Sequence, residues 1–309
     1  MLTPTIQALR NMGWEVFILL GIKKDDPRYK TFEDIIESYE GIELYREGLY
    51  FDVGFYVWGE GERWLPYGDM IKEWKVTKET NNPILHFLNG KHEVELNFTI
   101  AEHLGYKEKI PDTYFPTNDF NFVEKAGWTN IAIHVGSRPE PSWKRKRWDI
   151  KNWNKLCEVL KFRFRLLKDK KIRFHLLCGM WDEEDSRAIW STSTPSCNYT
   201  LWKGLKITEI AHILSKCDVM VSTDSGPMHI ANAVGTPVVQ LFGCTLPSKN
   251  RGWNDNGGVV IRDKKLKCSP CLYTNKFAEC IENICMKSIQ PEEVYSHVEK
   301  ILERELSIY

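Results

Sequence analysis

Residues 218–243 read DVMVSTDSGPMHIANAVGTPVVQLFG. The run at 218–222 is short and mostly apolar, as expected of a strand buried on both faces. It enters Thr223-Asp224-Ser225-Gly226-Pro227, a cluster of turn formers, and a helix is predicted at once over 226–234, ended by Gly235. A second buried strand follows at 237–242. Strand, helix and strand in direct succession make a parallel unit, and parallel sheets bind their ligands at the carboxyl ends of their strands. The first N–H groups of the helix have no intrahelical partner, and its positive dipole end faces the turn, which suits a phosphate. Gly226 allows close backbone approach and Ser225 adds a hydroxyl. His229, on the first helical turn, can donate to a phosphate oxygen or stabilise charge on a leaving group. Asp224 cannot attract phosphate by charge, and would order the loop amides or accept from a hydroxyl. The same residues also read as helix caps and a satisfied core histidine, and spacing alone does not separate the two.

The alternation continues outward. Strands are expected at 131–135 and 172–177, and helices at 149–160, 208–216 and 291–306, with Asp149 and Thr208 as N-caps and Pro291 in the first turn. Trp153, Leu156 and Leu160 share one helix face, and Val294, Val298, Ile301 and Leu302 another. In the first third, a helix at 3–12 stopped by Gly13 precedes a buried strand at 14–20, with a further strand at 51–57. A helix is expected over 83–105, with Leu85, Leu88, Val94, Leu96 and Leu104 toward the core. Residues 107–125 are rich in Pro, Asp, Asn and Thr and read as a linker, which divides the 309 residues into domains 1–125 and 126–309 of an α/β protein.

Lys and Arg number 42, as do Asp and Glu, so no global basic field supports nucleic-acid binding by bulk charge. No apolar run approaches the roughly 20 residues of a membrane-spanning helix. The first residues lack the basic and apolar regions of a secretory leader, so the expected location is the cytoplasm. The nine cysteines are an odd number, which argues against a full disulfide framework.

Cys268, Cys271, Cys280 and Cys285 have metal-ligand spacing, two residues between the first pair, eight between the middle pair and four between the last. Four thiolates make a closed, structural S4 site for zinc or iron with no open position for a substrate. Reduced structural thiols, or a disulfide such as Cys268–Cys271, fit the spacing as well. Cys157, Cys178, Cys197, Cys217 and Cys244 read as small buried hydrophobes. With the basic run RDKKLK at 262–267, the cluster also supports a rival class, a zinc-stapled binding module.

The string STDSGPMHIANAVGTPVVQLFG resembles the central signature of glycosyltransferase family 9, the ADP-heptose:lipopolysaccharide heptosyltransferases. IAIHVGS at 131–137, KRWDIKNWNKLCEVL at 146–160, HLLCGMWDEED at 175–185 and the tail CSPC…CIENICMKSIQPEEVYSHV agree in order and spacing. The resemblance covers the C-terminal domain well and the first 125 residues weakly. It implies a GT-B fold, two Rossmann-like domains facing a cleft, with the nucleotide sugar on the C-terminal domain and the acceptor on the N-terminal one. It implies an inverting glycosyltransferase without a catalytic cofactor or metal. The donor would be an ADP-heptose-like nucleotide sugar and the acceptor a lipopolysaccharide or other glycan or glycolipid, with peripheral contact at the inner membrane surface and no nucleic-acid partner.

By resemblance, Asp224, Ser225, Gly226 and His229 hold the donor's phosphates and adjoining sugar, and Gly136 and Ser137 also touch phosphate. Lys146 matches the lysine that neutralises the diphosphate, with Lys144, Arg145 and Arg147 as alternatives in the same loop. Asp182 and Glu183 match the acidic turn that pairs with the ribose hydroxyls. Residues 3–10 match the helix after the family's Gly-Asp loop, so the expected catalytic aspartate and first strand would lie before Met1 and the N-terminal domain would be incomplete. Asp52 and Asp69 are substitute carboxylates, and Trp58, Trp64, Tyr67 and Trp74 read either as acceptor-stacking or as core aromatics. A catalytically silent nucleotide-sugar binder is the alternative function.

Overall fold

A computed structural model describes residues 3–18, 29–40, 42–44, 51–55, 71–75, 91–118, 120, 122, 127–137, 143–168, 171–179, 182–190, 198–261, 263, 265–272 and 274–306. The chain divides into two compact units, 1–116 with 206–208, and 117–205 with 209–309. Among the described residues no helix is long and apolar enough to cross a membrane.

In the first unit, helix α1 (Thr3–Asn11) ends at Gly13, whose φ of +87° is the left-handed conformation a C-terminal stop uses. Strands β1 (Val16–Ile18) and β2 (Ile42–Leu44) pair in parallel, with α2 (Tyr29–Glu37) between them in sequence. Strands β3 (Phe51–Phe55) and β4 (Ile71–Lys75) form a second parallel pair. Helix α3 (Glu93–His103) begins later than the expected position 83. A capping box sets its start: His92 Nδ1 accepts the Val94 N–H at 3.1 Å, and Glu95 Oε2 accepts the His92 N–H at 2.7 Å. Ala8 of α1 packs on Phe98 and Ala101 of α3, while Ile6 joins Ile36, Tyr39 and Ile42 in a second cluster. Leu85 and Leu88 lie outside the described residues.

The second unit is built on a six-stranded sheet of β5 (Trp128–His134), β6 (Lys171–Cys178), β7 (Asn198–Lys203), β8 (Val219–Thr223), β9 (Val238–Leu241) and β10 (Val259–Ile261). Every pair is parallel, and the spatial order is β10-β9-β8-β5-β6-β7. Counted from β5, that is the 3-2-1-4-5-6 order of a doubly wound nucleotide-binding sheet, and it reverses direction between β5 and β8. The helices are α4 (Ile150–Lys168), α5 (Glu183–Trp190), α6 (Ile207–Ser215), α7 (Gly226–Ala233), α8 (Pro247–Asn250), α9 (Asn275–Glu279), α10 (Ile284–Lys287) and α11 (Pro291–Leu306).

Helix α4 starts where Asp149 Oδ1 accepts the Lys151 N–H at 2.8 Å, the capping role expected of it. Thr208, expected as the cap of α6, instead lies inside that helix and is buried. The core joins Trp153, Leu156, Leu160 and Phe164 of α4 to Val294, Val298, Ile301 and Leu302 of α11 and to the central strands. Full burial of each such side chain contributes roughly 1.5–3 kcal/mol.

Candidate functional site at the reversal of the parallel sheet

Gly136 and Ser137 follow β5, and the turn at 223–226 follows β8, so both stand at the carboxyl ends of the two strands flanking the reversal. Thr223 Oγ1 donates to the Gly136 carbonyl at 3.2 Å and ties the two strand ends together. Gly136 is required by space: a Cβ there would stand 2.6 Å from the Asp182 carboxyl carbon.

The turn after β8 is open. Gly226 is exposed, and a Cβ on it would meet nothing within 4 Å. Ser225 is the N-cap of α7 in extended backbone, yet its side chain makes no capping hydrogen bond; its Oγ lies 3.1 Å from Ser222 Oγ. The amides opening α7 are thus not covered by their own cap side chain, the condition for receiving an outside anion. His229 is half-buried on the first turn.

Four basic residues precede α4, and the fold sorts them. Residues Trp143–Lys146 form a single 3-10 turn. Lys146 Nζ donates to Asp224 Oδ2 at 2.7 Å, in a pair whose side chains are only 14% and 7% exposed. The ammonium has three donors and this bond uses one of them. Asp224 therefore acts on Lys146, in keeping with its poor fit to phosphate. Arg147 shapes the β5 loop: Nε donates to Ser137 Oγ at 3.0 Å, one terminal nitrogen to the Ser137 carbonyl at 3.1 Å, and the other to Asp185 Oδ2 at 2.7 Å. Arg145 points elsewhere, donating from Nε to the Cys280 carbonyl at 2.6 Å.

The two acids of the acidic turn separate. Asp182 is buried, and Oδ1 accepts the Gly179 N–H at 2.9 Å. Its Oδ2 is sealed from solvent without a hydrogen bond, 3.5 Å from His134 Nδ1. It braces the β5 and β6 ends from inside. Glu183 opens α5 at the surface, paired with Arg187 and Lys203, and hydrogen bonds from Lys203 and then Arg187 hold its carboxyl below the usual range. Asp185, His134 and Thr223 went unassigned in the sequence reading because their partners, Arg147, Asp182 and Gly136, lie in loops distant along the chain.

A cavity of about 330 Å³ is lined by residues that include Val135, Lys144, Arg147, Trp148, Asp185 and Asn283. It shares no residue with the 223–226 turn, and its Arg147 and Asp185 are bonded to each other.

The cysteine cluster takes one of the forms its spacing allows. Cys268, Cys271, Cys280 and Cys285 are free thiols, and among the described residues no three His, Cys, Asp or Glu side chains form a group that could hold a metal ion. Of the readings the spacing allowed, the structure shows reduced thiols: Cys268 is exposed and Cys280 half-buried, while Cys271 and Cys285 are buried. Burial, then the neighbouring thiols, pushes Cys271 up and Cys285 to about 11. Cys157, Cys178, Cys217 and Cys244 are buried as expected; Cys197 lies outside the described residues. So do Trp58, Trp64, Tyr67 and Asp69, and Asp52 and Trp74 are placed only by strands β3 and β4.

The sequence profile of glycosyltransferase family 9 (heptosyltransferase) matches residues 80–282. Lipooligosaccharide heptosyltransferase 2 of Campylobacter jejuni subsp. jejuni serotype O:6 is 33% identical over 106 residues, covering 34% of this chain and 31% of that protein. This chain thus matches about a third of that relative's length, 31%. The glycosyl transferase family 9 structure from Veillonella parvula DSM 2008 superimposes with a TM-score of 0.71 at 15% identity, over 98% of this chain and 93% of that one. E. coli heptosyltransferase WaaC with ADP superimposes with a TM-score of 0.66 at 14% identity, over 97% and 95%. At such identities the likeness concerns the fold alone, and it confirms the α/β, GT-B-type architecture expected from the sequence.

Proposed function

The chain belongs to glycosyltransferase family 9, and from that premise we propose that it is an inverting, metal-independent glycosyltransferase that moves a heptose from an ADP-sugar to a lipopolysaccharide or related glycan acceptor. The observation that carries this reading is the Lys146–Asp224 pair, 2.7 Å long, beside the open, side-chain-free start of α7 at Gly226. The donor diphosphate lies on the amides of Ser225 and Gly226, within reach of the Ser137 loop. Lys146 and the positive end of α7 take up the charge that grows on the diphosphate as the sugar leaves, which is electrostatic transition-state stabilisation by groups already in place. His229 donates to the diphosphate from the same turn. Glu183, the acid that reaches solvent, accepts from the ribose hydroxyls, while Asp182 holds the two loops in register. The acceptor binds through the N-terminal unit, and a glycolipid acceptor places the work at the cytoplasmic face of the membrane. Lipooligosaccharide heptosyltransferase 2 in C. jejuni lends support to heptose as the sugar.

The test is a thermal-shift series with ADP-heptose, ADP, UDP-glucose and RNA, followed by a transfer assay. A midpoint rise with ADP-heptose and ADP but not with RNA is expected. His229→Ala should lower donor turnover by about 100–1,000-fold, the range of a lost charge-stabilising donor, in a chain that still folds. No stabilisation by any nucleoside diphosphate, or unchanged turnover in that variant, refutes the site. Stabilisation without transfer would leave a nucleotide-sugar binder.

A further inference from the structure

Lys146 ends a short element: Trp143–Lys146 is one 3-10 turn. Two contacts from the cysteine-rich tail grip the residues on either side of it. On one side, Arg145 Nε donates to the Cys280 carbonyl at 2.6 Å, and its guanidinium lies 5.4 Å from the Phe277 ring centre. On the other, Asn283 Nδ2 donates to the Arg147 carbonyl at 3.2 Å. Asn283 does so from the left-handed region (φ 48°, ψ 39°), a conformation that asparagine tolerates better than most residues. The tail is itself anchored. The Cys271 and Leu272 N–H groups donate to the Cys244 carbonyl at 2.9 and 3.0 Å, just beyond β9, and the Ser269 hydroxyl donates to the Gly243 carbonyl. Trp148 Nε1 donates to the Ile289 carbonyl at 3.1 Å on the far side of the bracket. A series of hydrogen bonds thus runs from the end of β9 through the tail to the turn that carries Lys146.

We propose that Asn283 and Arg145 are positioning residues, a two-sided bracket by which the cysteine-rich tail holds Lys146 at Asp224 to meet the donor's diphosphate. This rests on the donor-site reading above. The tail would then have a role in donor recognition that needs no metal: its backbone and amide groups aim a lysine that lies well over a hundred positions earlier in the chain.

The test uses the full chain and calorimetric titration with ADP, and with adenosine as a probe lacking phosphates. Asn283→Gly keeps the left-handed backbone but removes the donor; Arg145→Gln breaks the other side; Lys146→Met removes the aimed group. Each bracket variant is expected to weaken ADP binding about 5–10-fold, the scale of one lost hydrogen bond to a charged or buried acceptor. Adenosine affinity should be unchanged, the melting midpoint should fall by no more than a few degrees, and neither variant should weaken ADP further in the Lys146→Met background. Two variants are used so that failure of one to fold leaves the other as the test. Unaltered ADP binding in a folded bracket variant, with Lys146→Met impaired, overturns the bracket and leaves the donor site standing. So does an equal loss in the Lys146→Met background, or a parallel loss of adenosine. ADP binding unaffected by Lys146→Met removes that lysine from the diphosphate and the bracket with it. A wild-type chain that binds no ADP fails at the earlier step, the donor site itself.

Discussion

His175 on β6 is fully buried and uses both ring nitrogens. Trp202 Nε1–H donates to Nδ1 at 3.0 Å; since an indole nitrogen only donates, the imidazole proton sits on Nε2, which donates to Asn130 Oδ1 at 3.1 Å. Burial, with a smaller push from Arg173, lowers its pKa from 6.5 to about 3. The native state therefore keeps it neutral while the unfolded chain protonates near 6.5. Its contribution is complete above pH 6.5 and is lost as pH falls from 6.5 toward 3, by at most about 1.4 kcal/mol per pH unit. Urea midpoints taken from pH 7.5 to 4.5 should fall faster for the wild type than for His175→Gln, which can accept and donate but cannot titrate. Parallel curves would mean that other groups carry the acid sensitivity. Nothing in the sequence marks this histidine, because Asn130 and Trp202 reach it from neighbouring strands.

At the level of elements, two glycines make opposite predictions. A Cβ on Gly258, just before β10, would stand 2.8 Å from the Val238 carbonyl oxygen and 3.0 Å from its nitrogen, backbone atoms of β9 that cannot swing aside. Gly258→Ala should cost about 1–3 kcal/mol by overpacking, read as a lower urea midpoint. Gly226→Ala has open space at the start of a helix, so stability should change by less than about 1 kcal/mol. Its methyl would project into the open turn, and ADP affinity should drop; retained affinity would show that no ligand seats there. Elements with a strong local period were legible in the sequence: α11 spans the expected residues, and β8 and α7 lie within a residue of theirs. Strands β2, β4, β7 and β10 went unread. Two of them are three residues long, and neither β4 nor the half-buried edge strand β7 has a continuous apolar run. The start of α3 was misread because its capping box uses a histidine.

Across the whole molecule, one indole joins the layers of the second unit. Trp153 is fully buried, packs edge-on against Trp148 at 5.0 Å, and belongs to the core shared by α4, α11 and the sheet. Trp153→Ala should lose about 3–5 kcal/mol. Trp153→Phe should lose much less, because the buried Nε1 has no hydrogen-bond partner to forfeit. Equal losses in chemical denaturation would contradict that account. The difference between what is local and what is distant runs through the entire chain. Apolar period, turn formers and capping residues act over a few neighbours, so the sequence alone determined the strand–helix alternation, the helix start after Ser225 and the α/β class. Only the tertiary structure decided which of four basic residues meets Asp224, 78 positions away, that Asp182 turns inward while Glu183 faces solvent, and that two of the four well-spaced cysteines are buried while one is exposed. Those outcomes depend on sheet order and on how the tail packs across strand ends, and no periodicity along the chain encodes either.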